Sequence, residues 1–298
     1  MENILIAGGS GYVGRALTKK LQDKGYTVSW LTRKIDPQIN ITQYLWNWEQ
    51  NSIDLVAIEK AELIINLAGA NVNGRRWTKE WKKEIYDSRI CATKFLFEII
   101  SKYPNKIKTY ISASATGFYG RTTSEKIYTE TDSSANDFLA KTCYDWEQLS
   151  NKFTVLGIRT LTVRTGIVLS RDSKAFKKMA LPIRLGLGAA IGNGNQFFPW
   201  IHLDDLCRIY LKLISDNNLH GTFNAVAPQY LTNQELMKAI AQRYNKSIWL
   251  PNIPSLIVKL IFGEIADSIL NGSRISSEKI INCNFKFKYL NINACINS

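Results

Sequence analysis

Residues 3–21 read NILIAGGSGYVGRALTKKL, and no other stretch limits the fold as much. An apolar, β-branched run leads into Gly8, Gly11 and Gly14, and Val13, Leu17 and Leu21 then repeat at helical spacing. This is a strand, a tight turn and a helix. In such a unit one glycine makes the turn, a second lets a pyrophosphate approach the backbone, and a third lets helix and strand pack closely. The unpaired N–H groups and positive dipole end of the helix hold an anion without a charged side chain. The run therefore predicts a dinucleotide-binding unit.

The alternation continues through the first 170 residues. YTVSWLTR, AELIINLAGA, KTYISASATGFYG and LGIRTLTVRTGIVLS read as strands, and Leu139, Cys143, Trp146, Leu149 and Phe153 mark a helix before the last of them. Strands alternating with helices predict an α/β fold, a doubly wound parallel sheet with a smaller C-terminal lobe. The expected division is a nucleotide-binding core over 1–170, rejoined by a helix and strand within 204–226, and a substrate lobe over 171–298. The glycine-rich RLGLGAAIGNGNQ reads as an exposed loop or hairpin.

Composition removes several other classes. Apolar residues make up 45% and charged residues 21% of the 298, which leaves no room for a long disordered tract. The stretch IPSLIVKLIFGEIADSIL is interrupted by Lys259, Glu264 and Asp267 and reads as an amphipathic surface helix, so no membrane partner is expected. The N-terminus reaches its apolar run without a signal pattern, and the expected location is cytoplasmic. Cys91, Cys143, Cys207, Cys283 and Cys295 form no metal or disulfide pattern and read as reduced core residues, and His202 and His220 are the only histidines. No metal is expected. The net charge of +13 raises nucleic-acid binding, with GRRWTKEWKKEIYDSR the densest basic segment. Trp77, Trp81, Ile85, Ser88, Ala92, Leu96 and Ile99 place one face of that segment in a core, so its lysines read as a solvated face and no nucleic-acid partner is expected.

The end of the second strand selects the cofactor. An NAD site usually has Asp or Glu there for the ribose 2′-hydroxyl. Here Arg33 stands 19 residues after Gly14, with Lys34 next and no acid before Asp36. A guanidinium suits a 2′-phosphate, so NADP(H) is the expected cofactor.

The GxxGxxG turn, INLAGA, SASATGFYG and PWIHLDDL together resemble the extended short-chain dehydrogenase/reductase superfamily. More narrowly, INLAGANVNGRRWTKEWKKEIYDSRICATKFL, FLAKTCYDWE, VRTGIVLS, FNAVAP and FGEIADSILNGSRISSEKI resemble the "epimerase family protein" group, an atypical branch of the NAD-dependent epimerase/dehydratase superfamily. The resemblance runs nearly end to end. It implies a Rossmann core, a small C-terminal substrate lobe, and nucleotide contacts from Gly8, Gly11, Tyr12, Val13, Gly14, Arg33, Leu67, Ala68, Gly69 and Ser112. It also implies hydride transfer between nicotinamide and a carbinol carbon, with a Tyr as base, a Lys four residues later and a nearby Ser.

Ser114 matches that Ser and is a candidate catalytic residue. The Tyr and Lys positions, counted back from Glu147, hold Leu139 and Cys143. Lys141 and Tyr144 point elsewhere around the helix and read as surface or packing residues. Tyr119, leaving the C-terminal end of a strand, is the alternative catalytic candidate. Arg89 faces either the nicotinamide region or a surface partner. Arg164, at a core strand end, meets either an anionic substrate group or a structural carboxylate. His202 is the second candidate for binding substrate, while adjacent Asp204 and Asp205 diverge at a helix start, where one would cap the helix. The expected function is NADP(H)-dependent epimerase or oxidoreductase chemistry on a hydroxylated or carbonyl small molecule. A non-catalytic NADP(H)-binding regulatory module is the alternative, and a homodimer is among the oligomeric states left open.

Overall fold

Successive side chains of a strand point to opposite sides, and in the first strand both sides are buried: Ile4 and Ile6 join one apolar cluster, Leu5 and Ala7 another. A sheet of such strands must be covered on both faces. The computed structural model, which describes residues 2–298, has this architecture. In chain order the strands are β1 (Asn3–Ala7), β2 (Thr27–Thr32), β3 (Thr42–Asn47), β4 (Ser52–Ile53), β5 (Leu63–Asn66), β6 (Thr109–Ala115), β7 (Ile127–Tyr128), β8 (Arg159–Thr165), β9 (Ile167–Leu169), β10 (Trp200–His202), β11 (Gly221–Ala225) and β12 (Arg274–Ile275). The helices are α1 (Tyr12–Gln22), α2 (Leu55–Lys60), α3 (Lys79–Lys102), α4 (Phe138–Asn151), α5 (Lys174–Arg184), α6 (Leu203–Ser215), α7 (Asn233–Arg243), α8 (Ser255–Phe262), α9 (Ala266–Leu270), α10 (Glu278–Asn282) and α11 (Ile292–Ile296).

Eight strands form one sheet in the order β11-β8-β6-β5-β1-β2-β3-β4, parallel throughout except for the β3–β4 pair. The chain proceeds outward from β1 through β2 and β3, then returns to β5 and runs the other way. The reversal opens a crevice beyond the carboxyl ends of β1 and β5, where open α/β sheets bind ligands. On one face Leu17 and Leu21 of α1 and Leu206, Tyr210 and Leu213 of α6 cover Ile4, Ile6 and Ile65. On the other, Ala92, Phe95 and Leu96 of α3 cover Leu5 and Ile64. β3 was not singled out by the sequence pattern, because a strand next to the sheet edge with polar Thr42, Gln43 and Asn47 lacks the apolar run of the central strands.

The smaller lobe is centred on α5, α7 and α11, whose Phe176, Ile183, Leu236, Ile240 and Ile292 pack with Trp200. Its boundary departs from the expected one. Besides α6 and β11, residues 278–288 return to the main core, where Ile280 and Phe285 pack with Leu206 and Tyr210. Buried Asp205 holds this return, accepting the N–H groups of Lys288 and Tyr289 at 2.9 Å and pairing with Arg208 at 2.7 Å. The helix expected across 253–270 is broken at Gly263, whose φ is +62°, into α8, a 3₁₀ turn and α9. The outer side of α8 is apolar rather than polar, and Val258 is its one buried residue.

Candidate dinucleotide site

The β1–α1 turn is built around two glycines that cannot carry a side chain. Gly8 has φ +83°, and a Cβ there would lie 2.9 Å from the carbonyl carbon and oxygen of Leu67. At Gly14 a Cβ would lie 2.5 Å from the Gly8 carbonyl oxygen and 2.6 Å from that of Gly9. The first lets the turn nest against the β5 loop, and the second lets α1 press onto its own strand. Gly11 occupies the N-cap of α1 and offers no side-chain cap, whereas Asp54, Thr78, Asp137, Ser173, His202 and Thr232 cap α2 through α7. The N–H groups at the start of α1 are thus left for a ligand. Val13 packs its side chain into the core and brings only its N–H to this end. Tyr12 is exposed beside it, its hydroxyl hydrogen-bonded to Ser170.

The turn opens into a cleft of about 1300 Å³, lined by Gly8, Gly11, Arg33, Leu67, Ala68 and Gly69. At the end of β2 the Thr32 hydroxyl accepts from the Lys34 N–H and donates to the Lys34 carbonyl, a local turn that leaves Arg33 exposed at its tip. The opposite wall is fixed from behind. Asn66 Oδ1 accepts from Ala68 N at 3.1 Å, and Ser88 Oγ accepts from Ala70 N at 2.9 Å. Arg89 does not line the cleft and makes no ion pair among the described residues. It runs beneath Gly69, donates to the carbonyls of Ile85 and Ala70 and lies over the Trp146 ring.

These features fit a dinucleotide. The turn can approach a diphosphate without a Cβ in the way, an uncapped helix end supplies N–H donors, and a cation stands where an NAD site would carry an acid. Beyond the wall the cleft continues past Asn71, Arg75, Arg76 and Trp81. Sequence reasoning missed these four and also Arg15, which lines the cleft and donates to the Ser10 carbonyl at 2.8 Å. The basic run around Arg75 was visible, but its assignment to a helix face hid that residues 71–76 precede α3.

Five expected site residues take other places. Ser112 is sealed between sheet and α4, accepting from Ser150 Oγ at 2.9 Å, and its side chain does not line the cleft. Ser114 is buried and donates its one hydroxyl proton to Glu147 Oε1 at 2.6 Å, which leaves it only acceptor capacity. Arg164 does not reach the cleft but forms a bidentate pair with Glu147, Nε to Oε1 at 2.9 Å and Nη2 to Oε2 at 2.8 Å. Tyr119 is 1% exposed, accepts from Arg164 Nη1 at 2.8 Å and donates to Asn224 Oδ1 at 2.7 Å. Burial pushes its pKa up to about 12, far from a base acting near neutrality. His202, not either aspartate, caps α6: its Nδ1 accepts from Asp204 N at 3.0 Å and its ring stacks on Tyr289. Asp204 pairs with Lys20.

Comparison with known proteins agrees with this architecture. The model of the "NAD dependent epimerase/dehydratase family" matches residues 4–225, and that of a "Domain of unknown function (DUF1731)" matches residues 253–298. The chain belongs to the NAD-dependent epimerase/dehydratase family. An epimerase family protein of Staphylococcus saprophyticus is 34% identical over 295 residues, covering 97% of this chain and 96% of its own. The crystal structure of the human epimerase family protein SDR39U1 with NADPH is 30% identical, with a TM-score of 0.87 over 98% of this chain and 97% of that one. A nucleoside-diphosphate sugar epimerase from Corynebacterium glutamicum is 31% identical, with a TM-score of 0.78. It covers 99% of this chain, which spans only 57% of that protein.

On α4, Leu139 and Cys143 stand at the positions where the resemblance implies Tyr and Lys. Cys143 is buried, and desolvation pushes its thiol up to about 11. With Leu139 it packs against Gly117. Lys141 and Tyr144 are exposed. Further along α4 stands Glu147, whose role as the partner of Arg164 sequence reasoning missed. The available signal was a strand-end arginine, which must find a carboxylate if it is buried.

Proposed function

We propose that this chain binds NADP(H) in the β1–α1 cleft and supports reversible hydride transfer with a hydroxylated or carbonyl small molecule. The observation that carries the reading is Arg33, exposed at the tip of β2 above an uncapped glycine turn, with no acid at the ribose position. The NADPH bound to the human relative and the sugar-nucleotide epimerase among the relatives support the cofactor and the reaction class. When bound, NADP(H) supplies a hydride donor or acceptor at its nicotinamide ring. The chain's own part is positional. The N–H groups at the start of α1 hold the diphosphate, Arg33 meets the 2′-phosphate, and Ser88 and Arg89 fix the wall at 67–70. The cleft beyond that wall, with Arg75, Arg76 and Trp81, takes the substrate.

A second reading is favoured by one specific observation. Ser114, Glu147, Arg164 and Tyr119 close on one another, and Leu139 and Cys143 stand where the resemblance implies Tyr and Lys, so no proton carrier of the usual kind serves the cleft. A protein of this build also works as a non-catalytic NADP(H)-binding module. Stopped-flow monitoring of reduced nicotinamide against sugars, sugar nucleotides and carbonyl compounds, with product analysis for isomers, separates the two. Cofactor oxidation or an isomerised product supports the enzyme, and tight NADPH binding with neither outcome leaves the binding module.

A further inference from the structure

In the smaller lobe, α8 turns most of its apolar side chains to solvent. Leu256, Leu260 and Ile261 are 67%, 70% and 62% exposed, with Ile257 and Phe262 beside them. The surface continues into the segment after α5. Trp249, 70% exposed, donates its indole N–H to the Gly186 carbonyl at 3.1 Å, between exposed Leu185 and Leu187. Four residues on, Ile253 N donates to Ala190 O at 2.8 Å and Gly192 N to Ile253 O at 2.9 Å, so the two segments are laced together. Exposed apolar surface on this scale marks a contact face.

The charges in these segments say what covers it. Between Asp172 and Asp204 the chain carries Lys174, Lys177, Lys178 and Arg184 and no acid. Between Glu235 and Glu264 it carries Lys238, Arg243, Lys246 and Lys259 and again no acid. At the margins Lys177 approaches Asp172 at 3.7 Å and Lys259 approaches Asp267 at 3.9 Å, both exposed and weak. The other cations make no ion pair among the described residues. A second copy meeting this face about a two-fold axis would set cations against cations. A nucleic acid would gain nothing from the aliphatic side chains. An anionic lipid surface satisfies both halves, with Leu and Ile entering the acyl boundary while Lys and Arg lie among the phosphates. No helix among the described residues is long and apolar enough to cross a membrane, so the mode is docking on the surface.

Against the expectation from sequence that no membrane is a partner, we propose that α8 and the 181–187 and 246–249 segments dock this protein on anionic membranes. The docked face ends at the ligand cleft: a Cβ on Gly263, which follows α8, would lie 3.1 Å from Nε of cleft-lining Arg76. The inference stands apart from the cofactor reading, since none of its residues touches the glycine turn or Arg33.

Co-sedimentation of the full chain tests it, using vesicles of phosphatidylglycerol and phosphatidylcholine in equal parts and vesicles of phosphatidylcholine alone. Binding is expected to the anionic vesicles, weakened by salt, and not to the neutral ones. Leu260→Ser/Ile261→Ser is expected to lower partitioning at least tenfold, and Arg184→Gln and Lys246→Gln about fivefold each. All variants should bind NADPH as the parent does, which shows that they fold. Failure of the parent to bind anionic vesicles overturns the proposal, as does equal binding by the Leu260→Ser/Ile261→Ser variant. A parent dimer that ignores vesicles and that this variant splits into monomers also overturns it, in favour of a second copy.

Discussion

Removing Glu147 tests whether the polar cluster between α4 and the sheet is structural. In the native protein Glu147 accepts from Arg164 Nε, Arg164 Nη2 and Ser114 Oγ at 2.9, 2.8 and 2.6 Å, and both partners of the ion pair are buried. Glu147→Ala leaves the guanidinium without its counter-charge, held by Tyr119 and packed on Phe118. Breaking a buried pair from one side costs about 3–5 kcal/mol, mainly because the surviving charge stays desolvated. With a urea m-value of about 3 kcal/mol/M, the midpoint should fall by about 1–1.7 M at unchanged m. Replacing both partners, as in Glu147→Leu/Arg164→Met, should cost less than either single change, because no charge is then left behind. Equilibrium urea unfolding followed by circular dichroism measures all of these. A Glu147→Ala midpoint within about 0.3 M of the parent, a loss of about 1 kcal/mol, would refute the assignment. So would a double variant less stable than both singles.

Other expectations concern single residues. Gly14→Ala places a methyl 2.5 Å from the Gly8 carbonyl oxygen, so the turn must open, and calorimetric titration should show NADPH affinity reduced at least tenfold, whereas unchanged affinity would argue against the turn as the diphosphate site. Tyr119→Phe leaves Asn224 Oδ1 without its donor and Arg164 short of an acceptor, a loss of about 1–3 kcal/mol in urea unfolding with NADPH affinity retained. Full stability combined with abolished hydride transfer would restore a chemical role to that hydroxyl. Burial lowers the His202 pKa, so the folded state binds its proton less readily than the unfolded one. The stabilisation present above the unfolded value of about 6.5 should be lost as pH falls through the lower folded value. His202→Asn keeps a capping group but does not titrate, so the parent should lose more stability than this variant over that window. Parallel pH profiles would contradict the buried neutral cap.

The parallel core was legible because strands buried on both faces read as apolar runs and the glycine turn has a fixed strand-to-helix context. Strand β3, next to the sheet edge, was not, since only Trp46 of its six residues is buried and its pattern is diluted. The glycine turn was readable because its backbone demands leave glycines in the sequence, and the place of Arg33 at the end of β2 because it falls at a countable distance from them. The rest of the site was not. Ser114 and Arg164 sit at strand ends, where ligands bind, and Tyr119 closes the turn after β6, but whether such groups face a cleft or each other depends on Glu147 arriving from α4, a long-range contact with no local signature. His202 and Asp205 show the same limit. Their spacing marked a helix start, while the partners that define their roles, Tyr289 and the Lys288 N–H, lie more than eighty residues onward.

The central claim is that a glycine turn and Arg33 make a site for NADP(H). It is tested most directly by titrating the protein and its Arg33→Ala variant with NADPH and with NADH. The parent should bind NADPH much more tightly than NADH. The variant should lose about 1.5–3 kcal/mol, or roughly ten- to a hundredfold, toward NADPH, with NADH affinity nearly unchanged, as expected for a hydrogen bond to a charged group. Equal losses for both cofactors, or a parent that prefers NADH, would contradict it.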